Sequence, residues 1–279
     1  MVETAAANPE LLADQVAQLL VQPLEAASVV LSSGVRIFDT AGVLRIPKLT
    51  GSSAVGFIAE GEEIPSDHDT TFDELVLMPT DRKSLKTIER YSNELVRQSV
   101  LGIDAVLKNR LVKVVGDKLD NELLVGTGTD HAITGIINQA GVQTGTLDVT
   151  DADCLLDAIA LASAAEVTPN RWFVNGDDFI ELRKLKETTG SNKYLLESDV
   201  TAGPTYRLFG IEVTPTNKLA QGKAVLADTS QIAVARDLAP SITILTERYA
   251  EFDQIGIRVV TRYDLGLLHP EAVIVLTAA

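Results

Sequence analysis

The sequence predicts an α+β fold in which two regions are woven together rather than strung in series. Three observations predict it. One long amphipathic helix is legible from Ile103 to Asn121. Alternating, strand-like runs lie on both sides of it, between Val29 and Met78 and again in the last third of the chain. No flexible linker, internal repeat or low-complexity tract divides the 279 residues into separate units. The chain is 46% hydrophobic but only 5% aromatic, so its core must be built from Ala, Val, Ile and Leu.

Taken in order, Pro9 to Leu20 reads as a helix, with Asn8 as cap, Pro9 at the first helical position and Leu12, Val16, Leu19 and Leu20 on one stripe. Pro23 ends it. Val29 to Thr50 reads as short strands. Gly34 to Asp39 and Val43 to Ile46 alternate, with a turn between Asp39 and Gly42. Two further strand-like runs, Ala54 to Ala59 and Phe72 to Met78, flank a polar tip containing Pro65 and read as an extended hairpin. Between Glu60 and Glu74 lie seven carboxylates (Glu60, Glu62, Glu63, Asp67, Asp69, Asp73, Glu74) and no Lys or Arg. Too few apolar residues sit at such a tip to hold it on its own domain, and its strand edges need covering. The hairpin is therefore expected to be an arm reaching a neighbouring subunit. Its root turns basic at Arg82, Lys83, Lys86 and Arg90. An acidic tip and a basic root on one element favour head-to-tail pairing between copies, the kind of contact that closes rings.

The helix that follows carries Ile103, Val106, Leu107, Leu111, Val114, Val115 and Leu119 at three- and four-residue steps. Ser99 can cap its start, and Lys108, Asn109, Lys113, Asp117 and Lys118 fall on the wetter side. At about 1.5 Å per residue it spans roughly 30 Å, which suits a scaffold for an elongated domain. From Leu123 a second region begins. Its Gly126-Thr-Gly-Thr-Asp130 stretch is not a phosphate loop, because His131 occupies the place of the third glycine and no G-K-[ST] follows. Asp151 to Ala165 reads as a helix capped by Thr150 or Asp151, and Trp172 to Val174 as a buried strand. Phe179 to Lys186 reads as a second helix, opened by Asn175 to Asp178, and Thr188 to Pro204 as an exposed loop. The remaining strands are placed at Arg207 to Pro215, Ala224 to Asp228, Gln231 to Arg236, Ser241 to Thr246, Ile255 to Tyr263 and Ala272 to Leu276.

The net charge of −15 argues against a nucleic-acid-binding surface, since phosphates would be repelled. Cys154, the one cysteine, is expected to be a buried small residue, and an intrachain disulfide is impossible. No apolar run is long enough to span a membrane and no secretory signal pattern opens the chain. The three histidines, His68, His131 and His269, have no His or Cys partner at metal-ligand spacing, and Asp67-His68-Asp69 reads as an exposed loop. Asp264 and His269 do not make a triad with any nearby Ser or Thr on sequence alone. No metal, cofactor or catalytic group is expected.

The arm, the phrase GEEIPSDHDTTFDELVL, the segment TIERYSNELVRQS, the long helix and LDNELLVGTGTDHAITGII resemble the major capsid proteins of tailed bacteriophages with the Hong Kong 97 fold. The match continues in order through RWFVNGDDFIELRKLKETTG, GPTYRLFGIEVTPTN, AVLADTSQIAVARD and VVTRYDLGLLHPEAVIVL, and covers about Ala27 to the C-terminus. The resemblance implies an N-terminal arm (1–28) and a peripheral domain in three parts (29–53, 88–122 with the spine helix, 238–265). It implies the extended hairpin arm at 54–87, an axial domain at 123–237 and a C-terminal strand of that domain at 266–279. It also implies pentamers and hexamers of one chain forming an icosahedral head around double-stranded DNA, assembled in the host bacterial cytoplasm and carried in the virion. Portal and scaffolding proteins are implied partners, with a decoration protein as a further one. The chain opens on Met1 without the extra N-terminal scaffolding segment of many relatives, so a separate scaffolding protein is the expectation.

Some members of this family join an arm Lys to an Asn of a neighbour. Here the arm's lysines are Lys83 and Lys86, both near its root. No Asn occurs from Lys218 to Ala279, and Asp253 and Gln254 stand where the acceptor is expected. No such cross-link is predicted. Two rival readings remain: an encapsulin-type nanocompartment of the same fold, and a cytoplasmic α+β enzyme.

Overall fold

The computed structural model describes residues 28–50, 57, 61, 71–78, 84–94, 103–188, 191, 193–196, 206–245 and 247–278. Outside them lie the helix placed at Pro9 to Leu20, the Ser99 cap, Asp67-His68-Asp69, and most of the strand placed at Ala54 to Ala59.

Two sheets and one helix organise the chain. The spine helix α1 runs Ile103–Val125, four residues past the expected end. It continues because Leu123 and Leu124 are fully buried. Leu111, Val115 and Leu119 face the core as expected, but Val114 is 48% exposed, so the stripe is narrower than the periodicity suggested. A six-stranded sheet has the order β5-β12-β9-β6-β8-β7. Its strands are β5 (Gln143–Leu147), β6 (Arg171–Val174), β7 (Arg207–Leu208), β8 (Ile211–Pro215), β9 (Lys223–Ala227) and β12 (Val273–Ala278). Strand alternation sends Trp172, Val174, Leu226 and Ile274 to one face, against α2 (Asp153–Ala164) and α3 (Gly176–Arg183). Phe173, Val225, Val273 and Val275 go to the other, where α1 lies. The run read as one strand, Arg207 to Pro215, is two strands folded back at Phe209-Gly210, where both residues adopt positive φ.

The second sheet has the order β1-β10-β11-β4, with β1 Arg36–Asp39, β4 Leu85–Ser92, β10 Ile232–Leu245 and β11 Gln254–Leu267. β10 joins the two runs read as Gln231 to Arg236 and Ser241 to Thr246 into one strand, with a register irregularity between Arg236 and Ser241. The boundary drawn at 237/238 therefore falls inside a strand. β1 does not pair with the strand after it, contrary to the expected hairpin across Asp39 to Gly42. It pairs in parallel with β10, and Arg236 grips Asp39 through two hydrogen bonds of 2.6 and 3.0 Å. That guanidinium holds the Asp39 carboxyl below the usual range.

β2 (Leu44–Thr50) instead pairs antiparallel with β3 (Thr71–Leu77), from Leu44↔Leu77 to Thr50↔Thr71. The described partner of the Phe72 to Met78 run is therefore Leu44–Thr50, where Ala54 to Ala59 was expected; that stretch lies outside the described residues except for residue 57. The register places Leu44 and Ile46 beside Leu75 and Leu77, over Ala233 and Ala235.

The spine helix also holds the chain's entry. Asp120, 2% exposed, accepts hydrogen bonds from Ser28 Oγ (2.5 Å), Val29 N (2.8 Å) and Val30 N (3.2 Å). Ser28 Oγ accepts in turn from Leu31 N, so one carboxylate fixes the short turn Leu31–Ser33 against the helix.

Candidate functional site

For a chain with no catalytic constellation in its sequence, exposed apolar and cationic surfaces are the candidate site. Two lie on one face of the four-stranded sheet. Its other face, with Val259 and Tyr263, packs toward α1.

The first is the arm root. Both strands of the hairpin are fastened to the last residues of β11. Asp264, 5% exposed, accepts from Met78 N at 2.8 Å and from Leu265 N at 3.0 Å. Met78 sits at φ +52, a conformation few side-chain-bearing residues adopt, and this bond holds it there. Lys48 Nζ donates to Leu267 O at 2.6 Å; burial lowers the Lys48 pKa. A side chain at Gly266 would have to push two hairpin leucines aside, since a Cβ would come within 2.7 Å of Leu77 Cδ2 and 2.9 Å of Leu75 Cδ1. We expect Gly266→Val to lift the hairpin off the sheet. Limited proteolysis between residues 50 and 71 would quicken about tenfold or more if the root opens by some 1.4 kcal/mol. An unchanged cleavage rate would contradict this packing. The opposite face of the hairpin is open: Phe72 is 83% exposed, Val76 38% and Val43 49%, beside the exposed Arg45–Glu74 ion pair at 2.7 Å.

The second surface lies further along the same face. β4 presents Lys86, Ile88 and Arg90 outward, with registers Lys86↔Val260, Ile88↔Arg258 and Arg90↔Gly256. Tyr249 lies on Gly256, where a Cβ would come within 2.6 Å of its ring. The guanidinium carbons of Arg90 and Arg248 stand 5.1 and 5.9 Å from the centre of that ring. Arg258 donates to Thr243 Oγ1 at 3.3 Å.

Of the residues the sequence singled out, Glu60, Glu62, Glu63, Asp67, Asp69, Arg82 and Lys83 lie outside the described residues; Lys86 is exposed on β4. Arg248, Tyr249 and Arg258 were missed. A usable signal was present: Arg258 and Arg262 share one parity of β11 while Val259 and Tyr263 share the other.

The Gly-rich turn serves packing. Thr127 bridges Thr134, and Gly135 N donates to Gly126 O at 2.8 Å. Gly128, Asp130 and His131 all take positive φ. Cys154 is half-buried rather than buried. Its Sγ donates to the carbonyls of Asp148 and Asp151, and burial pushes the thiol up, away from reactivity. Among the described residues, no three His, Cys, Asp or Glu side chains gather as a metal site, and no helix is long and apolar enough to cross a membrane.

The architecture, a spine helix between two sheets with a long hairpin fastened to the second, defines a shell-forming subunit class. The family model described as "Phage capsid family" matches residues 10–278, and the chain belongs to that family. Among solved structures it is similar to the capsid of a native GTA particle (TM-score 0.75, 16% identity, covering 91% of this chain and 90% of that one). It is similar also to Microbacterium phage Oxtober96 (0.74, 16%, 90% and 91%) and Mycobacterium phage Adephagia (0.70, 14%, 90% of each). No curated protein matches it significantly. The fold is the Hong Kong 97-type capsid fold, and the chain is a major capsid protein of a tailed phage. The nanocompartment alternative is not favoured.

Proposed function

We propose that copies of this chain assemble through pentamers and hexamers into an icosahedral head that encloses double-stranded DNA without reading its sequence. The observation that carries this is the arm. It is a two-stranded element fastened at one end, with Phe72 and Val76 left bare on its outer face. A pair of strands is marginal in water alone, and another copy is the cover that repeats with every subunit. The axial domain, taken as roughly 123–237 with the strand at 266–279, faces the ring centre. The peripheral parts, 29–53, 88–122 and 238–265, meet neighbouring rings. The chain does no catalysis and takes no cofactor. A separate scaffolding protein, a portal and a decoration protein are its expected partners, and assembly takes place in the host cytoplasm.

The acidic tip, Glu60, Glu62, Glu63, Asp67 and Asp69, meets the basic root of a neighbour at Arg82, Lys83 and Lys86. Neutralising those three cations together should lower capsomer yield in sedimentation; normal yield at ordinary salt would count against the pairing. The same particles, boiled in detergent, should run as one band at 29.9 kDa, because no covalent cross-link forms. A ladder of covalent oligomers would refute that part. A compact monomer in place of megadalton particles would refute the shell itself.

A further inference from the structure

Between the spine helix and the start of β4 lies a cleft of about 210 Å³. That is below the roughly 300–1,000 Å³ of sites for drug-sized molecules, so its occupant is small. The walls are apolar. Leu119 and Ile133, 1% and 7% exposed, line it together with Leu85 and the ring of Tyr263. Leu119 belongs to α1, Leu85 to β4 and Tyr263 to β11, so one small body there touches the helix and two strands of the sheet.

The mouth is charged, with two carboxylates to one Lys. Glu122 comes from α1 and Asp130 from the turn beyond it, and Lys118 stands beside them. Lys118 Nζ donates to one oxygen of Glu122, Oε1, at 2.6 Å. The other, Oε2, is turned toward the joint after the helix: it lies 3.1 Å from where a Cβ on Gly126 would stand. The Glu122 side chain is 18% exposed, so a cation at that oxygen is partly out of water and held more firmly than on the open surface. The surroundings share this sign. From Leu119 to Asn170 there is no Lys or Arg, and Lys86 of β4 turns to the other face of the sheet. The lip is also strained. Ala132 N donates to Thr129 O at 2.9 Å and closes a tight turn over Asp130 and His131, at φ +51 and +64. Such turns favour Asn and Gly. Side-chain-bearing residues held in this conformation cluster at ligand clamps.

We propose that this cleft is a binding site for a small organic monocation, an ammonium group on a short apolar chain or ring. The ammonium group sits at the mouth against Glu122 Oε2 and Asp130. The apolar body lies over Leu119, Ile133 and the Tyr263 ring, whose face also attracts cations. A carboxylate of the same size fits less well: it meets Lys118, but with two like charges beside it. Bound there, the ligand ties the spine helix to the β4–β11 pair and stabilises the subunit. The site lies within one chain, so it stands apart from the shell reading.

The test uses benzylamine as the probe, with benzyl alcohol and benzoate as its neutral and anionic counterparts of similar shape. Saturation-transfer NMR and thermal unfolding of the full-length chain read the binding. Benzylamine should bind saturably with a dissociation constant on the order of 1 mM, the range open to a ligand of about eight non-hydrogen atoms. At about ten times that concentration it should raise the unfolding midpoint by about 3–5 °C. Glu122→Gln should weaken binding about tenfold. Ala132→Leu, which fills the cleft from its wall and leaves the charges alone, should weaken it about as much. Asp130→Asn, on the exposed turn, should weaken it about threefold and reads the charge independently if Glu122→Gln does not fold. Benzyl alcohol or benzoate binding as tightly as benzylamine overturns the proposal. So does an affinity that none of these variants changes, or no saturable binding below about 20 mM.

Discussion

Gly126→Ala is expected to remove the folded subunit from the soluble fraction. A Cβ at this position would lie 2.2 Å from Ile133 O and 2.4 Å from Glu122 O. Both are backbone atoms, and neither is free to turn aside. Glu122 O already accepts from Gly126 N at 3.0 Å, and Gly126 O accepts from Gly135 N at 2.8 Å, so relief would break the joint where the spine helix enters the second region. Overpacking a well-filled site usually costs about 1–3 kcal/mol, and trapping between two backbone oxygens belongs at or above the top of that range, about 3 kcal/mol or more. Soluble yield and the urea midpoint of whatever remains soluble would check it. A variant within about 0.5 kcal/mol of the parent would show that the joint is looser than described.

Asp120→Ala is the second large effect. It strips the acceptor from Ser28 Oγ, Val29 N and Val30 N, all in a region where Ser28, Val30 and Asp120 are at most 2% exposed. Each stranded buried donor costs about 1–3 kcal/mol, so a loss of about 3–5 kcal/mol is expected. Asp120→Asn keeps one acceptor oxygen but turns an NH₂ toward a donor, and should lose less. The two variants should also differ locally. In the alanine form the Ser28–Ser33 turn should lose amide-exchange protection ahead of the sheets, because the carboxylate is what fastens it to α1. Equal, small losses in both variants would mean that apolar packing of Val30 and Leu31 holds the turn without help.

These effects mark where the sequence was silent. The helix α1 was legible because its apolar spacing is regular, and Trp172 to Val174 was legible because three large apolar residues run together between breakers. All three are fully buried. The carboxylates were not legible as clamps. Asp120 does lie within the apolar stripe, between Leu119 and Leu123, which was a sign that it would be buried with partners. Its partners come from 92 to 90 residues away, and no local pattern names them. The arm was recognised as a hairpin, but the described partner of its Phe72 to Met78 strand is Leu44–Thr50 rather than the run expected. Val43 to Ile46 reads as a strand from its alternation, and Pro47 hides its continuation to Thr50. In the structure β2 has one neighbour, β3, and at a sheet edge proline is tolerated. The turn at Asp39 to Gly42 exists, with Thr40 Oγ1 donating to Gly42 O, yet it separates two sheets instead of joining one hairpin. Turn chemistry fixes a reversal; which strands then pair is decided by burial far along the chain. The basic face was half legible, in the parity of Arg258 and Arg262.

A single reconstruction by electron cryomicroscopy of the self-assembled protein tests the central claim most directly. Closed icosahedral particles are predicted, with the hairpin arm of each subunit lying over an adjoining one. A lone subunit in solution whose hairpin lies folded back on its own body would contradict it.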